Sequence, residues 1–215
     1  MLLHLGSLPP RGDERFVCHD ERVTIQIAQD TTADLLLARD PFALVVGMTL
    51  DQQYPMEHAF RGPQKLVERL GTEHLDLELI AGFDPEAFAN LASTPPAIHR
   101  YGRSMAGRVQ QLAQVVLDEY DGDTARIWST AKTGVELKAR LRALPGWGEM
   151  KAKIFIALLG KQLAVRPRGW REAAGEYGED KSTRSVADVR DAASLQRVRE
   201  FKKAAKAELK AASEV

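Results

Sequence analysis

The sequence predicts an all-α fold. Apolar residues recur at three- and four-residue spacing along most of the chain, helix caps and stops punctuate those stretches, and the Val/Ile alternation of strands is nearly absent. With 215 residues, 44% of them hydrophobic, the chain can bury one good core or two small ones, which excludes disorder. In chain order, Asp30 to Thr32 can cap a helix carrying Leu35, Leu36 and Leu37, and Asp40-Pro41 can cap the next, with proline at its tolerated first position. That second helix, Phe42 to Gln53, sets Phe42, Val45, Val46, Thr49 and Leu50 on one face and ends at Gln52-Gln53-Tyr54-Pro55. A third runs from Met56 to Leu70 and stops at Gly71. From Ser104 to Tyr120, Met105, Val109, Leu112, Val116 and Tyr120 follow at steps of four, three, four and four, which predicts a long amphipathic helix. Val135 to Leu144 repeats the pattern with Leu137, Leu141 and Leu144, and Glu149 to Leu159 carries Ile154, Phe155, Leu158 and Leu159. A last helix is expected from about Ser194 to Ala212, and no fixed-period repeat or low-complexity tract is present.

Composition narrows the function classes. Thirty Lys+Arg balance thirty Asp+Glu, and a formal charge of zero argues against a globally basic nucleic-acid coat. No apolar run approaches the ~18–20 residues of a membrane span, so a soluble chain without a membrane partner is expected. Cys18 alone cannot form an internal disulfide, a four-cysteine iron–sulfur cluster or a zinc knuckle, and His4, His19, His58, His74 and His99 are too scattered for a local metal site. The expectation is therefore no metal, no cofactor and a reducing cytoplasm. Residues 1–23 hold Pro9-Pro10, Gly12 and mixed charge without a period; with no basic region before Leu2 they read as a loose extension rather than a signal peptide.

The most informative stretch is Leu144-Pro145-Gly146-Trp147-Gly148, between two predicted helices. Pro145 ends one helix, Gly146 permits a positive-φ turn, and Gly148 opens the next without a Cβ to block close approach. Unpaired amides at such a helix start lie at the positive end of the helix dipole and can bind a phosphate, and Lys151 and Lys153 follow within a turn. The pattern is that of a helix-hairpin-helix, a clamp on a DNA backbone phosphate, or else an ordinary turn between helices that uses Pro and Gly. Local charge favours the clamp. From Lys132 to Arg171 there are ten basic and two acidic residues, a segment charge of +8, which leaves −8 elsewhere.

Three ordered landmarks, Asp40-Pro41-Phe42 to Gln52-Gln53, Arg100-Tyr101-Gly102-Arg103-Ser104-Met105-Ala106 and Leu144 to Gly148, resemble the helix-hairpin-helix-GPD superfamily of base-excision DNA glycosylases. More closely, Thr24 to Ala212 resembles an actinobacterial branch of that superfamily without an iron–sulfur cluster. The resemblance implies two helical subdomains, a six-helix barrel at 40–163 containing the hairpin and a terminal subdomain at 24–39 plus 164–215, with the lesion cleft between them. It implies that Gln52 and Gln53 wedge into the base stack where a nucleotide is flipped, offsetting part of the few kcal/mol of unstacking; surface glutamines at a helix end are the other reading. Tyr54, Trp147 and Trp170 are candidates for a base pocket, or else for core packing.

Two positions depart from the family pattern. The Schiff-base lysine of bifunctional members falls on Met150, and Lys151, about 100° further round the helix, reads as a phosphate-contacting or solvated lysine. The aspartate that stabilises the oxocarbenium-like sugar falls on Arg166 in Ala164-Val165-Arg166-Pro167-Arg168-Gly169-Trp170, and an arginine can neither act as a base nor offset a developing cation. Three accounts follow. Another carboxylate substitutes (Asp51, Glu172, Glu176, Asp180 or Asp188); or the protein excises an already labile base by positioning it in a π-rich pocket; or it only binds damaged DNA, with Arg166, Arg168 and Arg171 gripping phosphates. The expected function is a monofunctional DNA N-glycosylase acting as a monomer on damaged double-stranded DNA in the cytoplasm, at the nucleoid. A catalytically silent DNA binder and a helical protein-interaction module are the alternatives.

Overall fold

The structure, a computed structural model, describes residues 25–213. The expected extension at 1–23, with Cys18, His4 and His19, lies outside the described residues. The helices are α1 (Thr31–Arg39), α2 (Pro41–Leu50), α3 (Met56–Leu70), α4 (Leu77–Gly82), α5 (Pro85–Ser93), α6 (Gly102–Tyr120), α7 (Arg126–Ser129), α8 (Gly134–Ala143), α9 (Glu149–Gln162), α10 (Trp170–Ala174) and α11 (Ala192–Ser213). Two 3-10 turns, Gly175–Gly178 and Val186–Asp188, lie between α10 and α11. Among the described residues there is no strand, only an isolated bridge between Thr133 and Arg168, so the fold is all-α.

The caps form as the sequence implies. The Asp30 carboxylate accepts from the Ala33 amide at the start of α1, and Asp40 accepts from the amides of Phe42 and Ala43 at the start of α2. A second Asp40 oxygen accepts from the Leu75 amide at 2.9 Å, which ties the α3–α4 connection to the same cap. Gly71, at φ +69°, closes α3 in the left-handed conformation. One expectation is corrected at α2. Every residue from Phe42 to Leu50 is buried, so this helix is apolar all round and lies inside the protein.

Helix α2 packs on α3, α1 and α6, while α4 and α5 lie along α6. The C-terminal elements gather on α9, which α8, α10 and both 3-10 turns contact, and α11 rests on the second turn. Helix α1 sits with α2 and α3, α10 and both 3-10 turns gather on α9, and α11 reaches back to Glu57 of α3 through Arg199. The interval 40–163, expected to hold six helices, holds eight, of which α4 and α7 have only 6 and 4 residues. One continuous core joins both groups. Phe60, Phe88 and Phe155 are fully buried in it, each contributing about 1.5–3 kcal/mol of burial.

Candidate functional site

The hairpin joins α8 to α9. Leu144 leaves α8 in extended conformation, the Trp147 amide donates to the Leu144 carbonyl at 3.1 Å, and Gly146 sits at φ +77°. Gly148 caps α9 without a side-chain acceptor. Among the described residues the amides of Glu149, Met150 and Lys151 have no acceptor, so they remain available to an anion at the positive end of α9. A Cβ on Gly146 would stand 2.6 Å from Cδ of Arg108, an α6 residue whose Nη1 donates to Oε1 of Gln52 at 3.0 Å. Arg108 thereby bridges the hairpin and the glutamine pair, a connection that no local spacing announced.

The open cleft beside the hairpin encloses about 670 Å³. The end of α2 (Asp51, Gln52, Gln53 and Tyr54) lines one side, the hairpin glycines and Lys151 another, and Tyr177, Arg184, Phe201 and Lys202 from the C-terminal region close it. Gln53 Oε1 accepts from Nη2 of Arg100 at 2.7 Å. Tyr54 is half-buried and tilts against His99, ring centroids 4.6 Å apart. Next in this aromatic row is Tyr101, 54% exposed, with the Arg100 guanidinium 4.6 Å from its ring centre. His99 itself is buried. Its Nδ1 accepts the Tyr101 amide at 3.0 Å, so Nε2 carries the proton and donates to the Gln52 carbonyl at 3.1 Å. Burial holds its pKa below the ordinary histidine value, and the ring is the neutral prop under the glutamine pair.

Deeper in the cleft lie Asp51 and Lys151. The Asp51 side chain is only 11% exposed, its nearest ion-pair partner is Nζ of Lys202 at 4.0 Å, and among the described residues no donor hydrogen-bonds its carboxylate. Burial raises its pKa, against the pull of Lys202 and Lys151. Lys151, expected to contact a phosphate or lie in solvent, is half-buried, lines the cleft, and donates to the Thr49 carbonyl at 2.9 Å. Burial lowers its pKa to about 8, with Asp51 opposing the shift and Arg108 adding to it. Met150, at the family's lysine position, is 66% exposed. Glu57 is paired with Arg199 of α11.

The tryptophans are corrected from pocket walls to core. Trp147 is 6% exposed, its ring meets Phe155 edge-on at 5.1 Å, and Nε1 donates to the Thr49 hydroxyl at 2.9 Å. Trp170, also 6% exposed, lies over Gly160, where any Cβ would enter its ring, and it does not line the cleft. The other candidate acids are occupied or outside. Asp188 pairs with Lys161 at 2.6 Å, Asp180 with Arg171 at 2.7 Å, and Glu176, at the cleft rim, with Arg184 at 2.9 Å; Glu172 is exposed and lines no part of the cleft. Arg166 lines no part of the cleft; its Nε donates to the Gly160 carbonyl at 2.9 Å, near the C-terminal end of α9. Arg168 is exposed beside it, its carbonyl accepting from Gly134.

The basic segment is also less free than its count implies. Arg140 is bound to the carbonyls of Arg126 and Ile127, to the Thr130 hydroxyl and to Glu136. Glu149, in the first turn of α9, draws Lys138, Arg142 and Lys153 to within 3.2, 3.4 and 3.5 Å, and these cations hold its pKa below the usual carboxylate value, the Lys138 hydrogen bond first. No group of three metal-ligating side chains occurs among the described residues.

A family model for HhH-GPD superfamily base excision DNA repair proteins matches residues 46–215. The chain belongs to that superfamily. Its partner is accordingly DNA and its process base excision repair. Searches of curated proteins and of solved structures gave no match. Among the described residues no helix is long and apolar enough to cross a membrane.

Proposed function

We propose that this protein is a monofunctional DNA N-glycosylase in which Asp51 takes the part of the aspartate that the family pattern places at Arg166. The observation that carries the reading is the Asp51 carboxylate: desolvated, without a hydrogen-bond donor among the described residues, and facing the cleft one residue from Gln52. A backbone phosphate rests on the free amides of α9, Gln52 and Gln53 fill the gap left in the stack, and the flipped nucleotide enters beside Tyr54. The N-glycosidic bond breaks with its electron pair leaving on the base, and the positive charge that develops on the sugar faces Asp51. Water adds its oxygen to the anomeric carbon and gives one proton to the Asp51 carboxylate, whose raised pKa makes it a stronger base. Lys151, bound to the Thr49 carbonyl, supplies charge to the cleft rather than a covalent amine.

The test is incubation with duplexes carrying uracil, hypoxanthine, oxidised guanine or alkylated purines, followed by alkaline cleavage of abasic sites. Strand breaks are expected with at least one lesion, and they should vanish in a Gly146→Ala, Gly148→Ala double variant. Tight binding with no cleavage of any duplex would give the binding-protein reading instead.

A further inference from the structure

At the opposite end of α9 from the hairpin lies a second recess, of about 130 Å³, that shares no lining residue with the cleft. Four cations (Lys161, Arg166, Arg171 and Arg190) and two acids (Asp180 and Asp188) line it. Both acids are engaged. Asp188 holds Lys161 at 2.6 Å in a pair only 5–6% exposed, and its other oxygen accepts the amides of Arg184 and Ser185 at 3.0 and 3.2 Å. Asp180 holds Arg171 at 2.7 Å, and the Arg171 guanidinium lies 4.5 Å from the centre of the Trp170 ring.

The remaining two arginines are anchored and form no direct ion pair among the described residues, although the Asp180 carboxyl, held below its usual pKa first by the Arg171 hydrogen bond, is also within reach of the Arg166 charge. Arg166 gives Nε to the Gly160 carbonyl at 2.9 Å, and Arg190 gives Nη2 to the Lys161 carbonyl at 3.1 Å. These carbonyls belong to the last turn of α9, so each guanidinium is oriented by a helix end. Among the described residues the two Nη groups of Arg166, and Nη1 and Nε of Arg190, have no acceptor. A polar recess with an ion-paired floor, four cations to two acids, and two guanidinium groups oriented by the backbone fits a compact dianion, because guanidinium forks match phosphate oxygens in geometry and charge.

We propose that this recess binds the phosphate group of a small phosphorylated molecule, with inorganic phosphate as its minimal form. Arg166 and Arg190 grip the oxygens, and Lys161 contributes charge from below. The DNA backbone is not the source. The recess lies about 20 Å along α9, at ~1.5 Å per residue, behind the amides that meet DNA, and on the end of the helix that points away from them.

Thermal unfolding of the full chain in sodium phosphate, against sodium chloride at matched ionic strength and neutral pH, tests the assignment. A saturable rise in Tm of roughly 2–4 °C is expected once phosphate exceeds its Kd severalfold. The rise should be lost in an Arg166→Gln, Arg190→Gln double variant and reduced in Arg190→Gln alone, which keeps the Gly160 cap. Affinity for duplex DNA should be unchanged in both variants. Equal Tm in the two salts, or a phosphate-dependent rise that survives in the double variant, overturns the proposal. So does a loss of DNA affinity in variants of a protein that shows no phosphate shift, which would assign the recess to the DNA backbone.

Discussion

Helix α9 carries a lysine and a nearby buried aspartate at each end, and the two pairs are built on opposite principles. At the C-terminal end, Lys161 and Asp188 are 2.6 Å apart, and the Asp188 carboxylate is completed by two amides and a capping box. At the N-terminal end, Asp51 has no donor among the described residues, and Lys151 turns instead to the Thr49 carbonyl. A buried acid with every oxygen satisfied holds the fold together. One left desolvated and open to a cleft costs stability and keeps its lone pairs for a reacting atom.

Substitutions should separate the two. Asp188→Ala leaves Lys161 buried without its partner and should cost about 3–5 kcal/mol, read from urea denaturation. Asp51→Asn removes only a desolvated charge. Its urea midpoint should hold or rise, while excision in single-turnover assays falls roughly 10²–10³-fold, the scale for deleting one group that stabilises transition-state charge. Wild-type excision by D51N would return Asp51 to a structural part.

The hairpin offers a finer contrast at the same end of the helix. Gly146→Ala meets both a positive φ of +77° and the Arg108 side chain, so it should lose about 1–2 kcal/mol in strain alone. Gly148→Ala has open space and φ −102°, and its stability should stay within about 0.5 kcal/mol of wild type. Equal losses in the two would show that Arg108 yields freely.

The smallest effects are in pH dependence. His99 has a depressed pKa, so the unfolded chain binds the proton first. Stability should therefore fall as pH drops below 6.5, with thermal unfolding of His99→Gln flat across the same window. Lys151 titrates near 8 when folded and near 10.5 when unfolded. The unfolded chain holds more protons between those values, so the urea midpoint should rise across that range and Lys151→Met should remove the rise.

Much of the fold was legible because helix ends are local events. Asp30, Asp40-Pro41, Gly71 and the hairpin glycines each act within four residues of themselves, and each terminates or starts a helix where the sequence implies. α4, α5, α7 and α10 escaped notice because they span only 4 to 9 residues and show little period. The site was less legible. Gln52, Gln53 and the glycines could be placed by spacing, but Asp51 differs from four other acids only through Lys202 and Lys151, which lie a hundred or more positions away. Nor could spacing show that Trp147 has a Thr49 hydroxyl for its indole, which settles that ring in the core.

Glu149 bears on how this protein responds to salt. One carboxylate in the first turn of α9 serves Lys138, Arg142 and Lys153 together. In free protein those three cations already have an internal counterion, so a DNA phosphate arriving at the hairpin exchanges with Glu149 rather than with dissolved anions. The slope of log affinity against log salt should accordingly count fewer charges than the ten basic residues of the segment. Glu149→Gln would steepen it and tighten binding at low salt, because three cations would then meet the phosphates without an internal competitor.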